Sequence, residues 1–125
     1  MRRILLVDDS PMPREPLARL LAYEGYDVLA ASNGLEAIDT LRDQSVDLLL
    51  LDVMMPKMNG IELLESLREQ ERYKDLVVIA VTGSMDRAQL TRLRELGVTE
   101  IVIKARFKID ELLDHLKTHL TAKSE

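Results

Sequence analysis

The sequence predicts an α/β fold, a single doubly wound five-stranded parallel sheet with helices on both faces, on three observations. Five near-continuous apolar runs recur along the chain, which is how strands covered on both faces read. Five segments whose apolar residues step by three or four alternate with them. The connections are short and glycine-punctuated, so the crossovers are expected to be right-handed and the sheet open.

The first run, Ile4-Leu5-Leu6-Val7, is closed by Asp8-Asp9. The first helix carries Leu17, Leu20 and Leu21, but Pro11, Pro13 and Pro16 crowd its opening. Pro11 and Pro13 fall where amides lack intrahelical partners, whereas Pro16 removes a real bond and crowds the Met12 carbonyl. The helix is therefore expected to start late or to bend there. Gly25 precedes the second run, Val28-Leu29-Ala30-Ala31, and Asn33 followed by Glu36 offers a cap to a helix through Leu35, Ile38 and Leu41. Leu48-Leu49-Leu50-Leu51 fits a buried helix as well by period alone, but Asp47 before it and Asp52 to Pro56 after it bound it at strand length. Gly60 opens the helix through Ile61, Leu64 and Leu67, and Val77-Val78-Ile79-Ala80-Val81 is the fourth strand. Leu90 and Leu93 mark the fourth helix, Gly97 ends it, and Ile101-Val102-Ile103 is the fifth strand. A last helix runs through Ile109, Leu112, Leu113, Leu116 and Leu120, with residues 121–125 expected to fray.

At 125 residues the chain suits one domain, 1–125, and a composition of 46% hydrophobic and 31% charged residues excludes the signature of disorder. The net charge of −5 comes with no basic run to neutralise phosphates, so no direct nucleic-acid partner is expected. The absence of cysteine excludes disulfides, thiolate nucleophiles and Cys-ligated metals. No apolar stretch approaches the roughly 20 residues of a membrane span, and residues 4–7 are too short for a signal-peptide core, so the expected location is the cytoplasm.

In open parallel sheets, ligands bind beyond the carboxyl ends of the strands. Those ends carry Asp8 and Asp9, Asp52, Thr82 and Lys104. Any one of the aspartates alone reads as a helix cap or a turn residue. Five such residues on one edge read as a site. Three converging carboxylates repel by on the order of 4 kcal/mol per pair at about 4 Å and an effective dielectric near 20. Lys104 offsets part of this, and Mg²⁺, which takes one or two carboxylates and a phosphate oxygen, is the natural second cation. With no Cys and no nearby His, Zn²⁺ is disfavoured at this edge.

Four motifs stand in order at these strand ends: Val7-Asp8-Asp9-Ser10, Asp52-Val53-Met54-Met55-Pro56-Lys57-Met58-Asn59-Gly60, Val81-Thr82-Gly83, and Lys104 after a short apolar strand. On these the chain resembles the receiver domain of two-component response regulators, close in layout to the stand-alone chemotaxis type. The resemblance implies the flavodoxin-like strand order 2-1-3-4-5. It implies that Asp52 is the phosphoacceptor, taking a phosphoryl group from a histidine kinase or phosphotransfer protein. Asp9 and Asp52 would ligate Mg²⁺ directly, Asp8 through water, and the Met54 backbone carbonyl would add an oxygen. The Thr82 hydroxyl and Lys104 ammonium would meet the phosphoryl oxygens. A downstream protein target or a fused output domain is implied, with no enzymatic activity beyond self-phosphorylation and slow self-dephosphorylation.

Two positions depart from the family pattern. Ile101 stands where the family usually has Tyr or Phe, so the aromatic half of the switch relay is missing. Ala105 follows Lys104 where the family usually has Pro after a cis bond; a trans bond is expected here, with a different path for residues 104–107 and a poorer aim for Lys104. These departures keep open a receiver-like constitutive interaction module. A haloacid-dehalogenase-type phosphatase would need an acid where Met54 stands, and a flavodoxin-type carrier would need a phosphate loop unlike Ser10-Pro11-Met12-Pro13. His115 and His119, spaced i, i+4 on the last helix, could hold a metal, but they flank its leucine face and no third ligand is evident; solvated surface histidines are expected.

Overall fold

The computed structural model of the protein describes residues 2–53, 55, 59–83 and 86–121. Strands β1 (Arg3–Val7), β2 (Asp27–Ala31), β3 (Leu48–Asp52), β4 (Val77–Thr82) and β5 (Glu100–Ile103) alternate with helices α1 (Pro11–Tyr23), α2 (Gly34–Asp43), α3 (Gly60–Arg68), α4 (Arg87–Glu95) and α5 (Ile109–Thr121). Short 3-10 turns at Glu71–Tyr73 and Lys104–Arg106 complete the described elements. The sheet is parallel throughout, in the order β2-β1-β3-β4-β5.

The period-two alternation of the strands divides their side chains between two cores. Leu5, Val7, Leu49, Leu51, Val78 and Ala80 face one way, onto Ala37 and Leu41 of α2, Leu63, Leu64 and Leu67 of α3, and Leu93 of α4. Ile4, Leu6, Leu48, Leu50 and Ile79 face the other way, onto Leu21 of α1 and Leu112, Leu116 and Leu120 of α5. The central strand β3 is buried along its whole length, which is why it reads as an unbroken leucine run.

Local signals set the helix starts. The Asn33 side chain accepts from the Glu36 amide at 2.9 Å, while the Glu36 carboxylate accepts from the Ser32 amide at 2.9 Å. Asn59 and Glu62 form a reciprocal capping box on α3, and Asp86 accepts from the Gln89 amide at 3.0 Å on α4. Gly25 and Gly97 take φ values of 100° and 75° at the turns after α1 and α4, a region costly to residues with a Cβ. Of the two expectations for α1, a late start or a bend, the late start does not form. The helix begins at Pro11, whose missing amide has no helical partner to lose there, and it continues through Pro16. The Arg14 amide already donates to the Ser10 carbonyl at 3.1 Å, closing the first turn before Pro16 is reached.

Candidate functional site

Backbone pairing brings the chemistry-bearing residues to one edge of the sheet. Val7 is in register with Leu51 and Ala31, so Asp8 emerges beside the end of β3, and its amide donates to the Ala31 carbonyl at 3.1 Å. Asp52 is the last residue of β3, paired in register with Val81, and the next amide, Val53, donates to the Val81 carbonyl at 2.9 Å. The nucleophile candidate therefore sits inside the ladder rather than on the loop after it. Thr82 occupies the next rung, opposite Ile103, and Lys104 follows Ile103 directly.

Carboxylate oxygens of Asp8, Asp9 and Asp52 lie within 4.8 Å of one another. Asp8 and Asp52 are buried and Asp9 is exposed, so the cluster has a closed floor and one open side. Asp8 is fixed twice: its side chain accepts from the Ser10 amide at 2.9 Å, and its carbonyl accepts from Arg14 Nη1 at 2.9 Å. Arg14 was not singled out by sequence reasoning. Its partner is a backbone carbonyl six residues earlier, which no pattern of side chains announces.

Lys104 Nζ stands 3.4 Å from Asp52 Oδ2, with its side chain 46% exposed against 4% for Asp52. Such a half-solvated pair adds little to stability, and its value lies in holding positive charge at the mouth of a buried carboxylate. Among the described residues no peptide bond is cis, residues 104–106 form a 3-10 turn, and Lys104 still reaches Asp52. Thr82 is fully buried on the sheet face that carries Val78 and Ala80. Ile101, in register with Ala80, packs on that same face, behind the position of Thr82. Met54 lies outside the described residues.

The cluster is an all-oxygen donor set, the kind hard divalent cations take, and its three carboxylates need cationic compensation beyond Lys104. Beside it opens a groove of ≈ 520 Å³ that reaches Asp8, Asp52 and Lys104 at one end. Its walls are mainly apolar: Leu17 and Leu20 of α1, Leu50 and Val81 of the sheet, and Phe107 and Ile109 where α5 begins. No described helix is long and apolar enough to cross a membrane.

Comparison with known proteins agrees with this geometry. Residues 4–117 match the family model described as the response regulator receiver domain. The transcriptional regulatory protein CpxR of Escherichia coli K12 is 46% identical over 87 residues, 70% of this chain and 37% of CpxR, so the chain spans little more than a third of that relative. Sporulation initiation phosphotransferase F of Bacillus subtilis is 35% identical over 122 residues, covering 98% of this chain and 96% of that protein. The crystal structure of the response regulator TrrA from Thermotoga maritima, in complex with Mg²⁺ and BeF, has a TM-score of 0.81 at 36% identity, covering 94% of this chain and 98% of that one. With the strand order, the acidic cluster and these likenesses in agreement, the chain belongs to the response regulator receiver domain family and is a phosphoacceptor signalling domain of the two-component kind.

Proposed function

We propose that Asp52 is the phosphoacceptor, that Asp8, Asp9 and Asp52 hold Mg²⁺, and that the donor is a phosphohistidine on a partner kinase or phosphotransfer protein. The observation that carries this reading is the buried Asp52 carboxylate, joined by two further carboxylates within 4.8 Å and by Lys104 at 3.4 Å. An Asp52 oxygen attacks phosphorus as the phosphorus–nitrogen bond of the donor breaks, and the released imidazole takes up a proton. The residues contribute position and charge, which is most of what phosphoryl transfer needs. A bound Mg²⁺ would neutralise the carboxylates and the incoming phosphoryl oxygens. Lys104 covers one of those oxygens from the solvent side, and the Thr82 hydroxyl is a suitable donor to another. The apolar groove between α1 and the start of α5 supports a protein donor that docks beside Asp52. With Lys104 in reach of Asp52, the site supports phosphoacceptance over a constitutive module. Beyond this self-phosphorylation and slow hydrolysis we assign no enzymatic activity, and we place the chain, as one domain over residues 1–125, in the cytoplasm.

The test is intact-mass spectrometry after incubation with acetyl phosphate, with and without Mg²⁺. The expected result is a Mg²⁺-dependent gain of one phosphoryl group, and no gain in either sample would sink the proposal. Mg²⁺ should also raise the melting temperature by mass action, since it binds the assembled cluster and hardly binds the unfolded chain. Asp9→Ala is expected to remove that gain. If Mg²⁺ leaves the parent unchanged while the variant melts higher, the cluster carries repulsion without a metal.

Signal output should follow from Ile101. Drawing Thr82 toward a phosphoryl group opens space on the face where Ile101 packs, and a β-branched side chain stiff at its first torsion swings poorly into it. Coupling between phosphate and the surface built by α4, β5 and α5 is therefore expected to be weak. With a beryllofluoride mimic, amide shifts should be large at Gly83 and Asp86 and small at Ile101, Val102 and Ile103. Shifts of equal size in both segments would show that the relay works without its aromatic residue.

A further inference from the structure

Two of the three clustered carboxylates belong to residues whose backbone is bonded to the sheet. Asp52 lies inside the ladder of β3, and the Asp8 amide donates to the Ala31 carbonyl at 3.1 Å. β1 ends at Val7, so Asp9 stands past the strand, exposed on the open side of the cluster. Its direction is set by the peptide that joins it to Asp8. That unit is planar, so a bond on the Asp8 carbonyl fixes how the chain leaves toward Asp9. Arg14, half-buried in the opening of α1, supplies the bond: its Nη1 donates to the Asp8 carbonyl at 2.9 Å. The backbone amide of the same residue donates to the Ser10 carbonyl at 3.1 Å, and the Ser10 amide donates to the Asp8 carboxylate at 2.9 Å. Asp9 is therefore the middle of a short arch, residues 8–10, with the carbonyls on both sides of it tied to Arg14.

We propose that Arg14 is a positioning residue for Mg²⁺: by holding both ends of the arch, it keeps the Asp9 carboxylate close to those of Asp8 and Asp52. The inference rests on the reading of these aspartates as the Mg²⁺ site. A carboxylate on a free loop gives up conformational freedom each time it takes an ion, whereas one on a tied arch has already given it up in folding. Outer-shell partners that orient ligands are commonly worth roughly tenfold to hundredfold in metal affinity. The Nη1 contact is to a backbone oxygen, so it occupies no carboxylate. A role through charge alone would have the opposite sign. A guanidinium beside the cluster repels an arriving cation, so charge alone makes Mg²⁺ bind more tightly once Arg14 is removed. Positioning makes it bind more weakly.

The test is calorimetric titration of the full chain with Mg²⁺, in the parent, Arg14→Ala and Arg14→Lys, with melting temperatures measured without metal alongside. Arg14→Ala removes the Nη1 donor but keeps the backbone bond to Ser10 that closes the first turn, and Ala favours helix, so α1 should form. Its Mg²⁺ affinity should fall by roughly tenfold or more, while the metal-free melting temperature moves little. Arg14→Lys keeps a long side chain with donors for a single carbonyl and should recover most of the affinity. An Mg²⁺ affinity that is unchanged or tighter in Arg14→Ala would overturn the inference, as would a loss in Arg14→Lys equal to that in Arg14→Ala. A loss of affinity matched by a collapse of metal-free stability would also overturn it, making the role of Arg14 purely structural. If the parent itself binds no Mg²⁺, the metal reading fails and this inference with it; if the parent binds and only the Arg14 comparison fails, that reading stands.

Discussion

Asp52→Asn is expected to abolish the Mg²⁺-dependent gain of one phosphoryl group from acetyl phosphate, with no other residue labelled in its place. The substitution keeps the size of the side chain and removes its nucleophilic charge, so the strand and its register should survive. Asp52 pairs through its backbone with Val81, and its side chain is 4% exposed, so a neutral amide of the same shape can occupy the position. Relief of repulsion from Asp8 and Asp9 should leave the variant at least as stable as the parent in the absence of Mg²⁺, because each nearby pair of like charges costs on the order of 4 kcal/mol at an effective dielectric near 20. Loss of labelling together with retained stability separates a chemical role from a structural one. Undiminished labelling of the variant, on any residue, would refute the assignment of Asp52. Asp8 and Asp9 remain in the variant, so they test directly whether a neighbouring carboxylate can substitute. Neither is expected to do so, because Asp8 is tied to the Ser10 amide and Asp9 faces the open side of the cluster.

The strand ends were legible because apolar runs in a parallel sheet stop where burial stops, and the residues that follow emerge together on one edge. Boundaries were less legible. β1 and β5 begin at Arg3 and Glu100, and β3 and β4 end at Asp52 and Thr82, because ladder pairing extends a residue beyond the apolar run at one end or the other. At α1 a late start does not form, because Pro11 begins a helix whose first turn is closed by the Arg14 amide before Pro16 is reached. The 3-10 turn at Glu71–Tyr73 gave no periodic signal, being three residues long, although the Tyr73 hydroxyl donates to the Leu41 carbonyl at 2.8 Å inside the core. Contacts between distant segments away from that edge were not legible. Arg68 donates to the carbonyls of Tyr73, Lys74, Leu96 and Gly97, and Glu100 meets His115 and His119, only because the fold brings those segments together.

Gly60→Ala is expected to lower both stability and phosphorylation, although the glycine has an ordinary helical role by sequence. Its amide donates to the Val53 carbonyl at 2.9 Å, which draws the start of α3 against the end of β3. A Cβ there would lie 2.7 Å from the Val53 Cα, with the Asp52 carbonyl oxygen and a Leu51 methyl each at 3.3 Å. The closest of these is backbone, so no rotamer change can relieve the overlap. Helix propensity alone favours Ala over Gly by about 1 kcal/mol within a helix. The steric term opposes it: overpacking that forces backbone shifts costs about 1–3 kcal/mol, and here the backbone that must move is that of Asp52 and Val53. The steric term should win, lowering the melting temperature by roughly 4 °C per kcal/mol, as the unfolding entropy of a 125-residue domain implies. Labelling from acetyl phosphate should slow as well, because a shift of about 1 Å in a positioned group can cost a hundredfold in rate. Gly83→Ala provides the contrast on the neighbouring strand end. Its Cβ would meet nothing closer than the Lys104 Cδ at 4.0 Å, so its stability should stay within about 0.5 kcal/mol of the parent. If Gly60→Ala melts with the parent and labels at the parent rate, the close approach of α3 to β3 does not hold Asp52 in place.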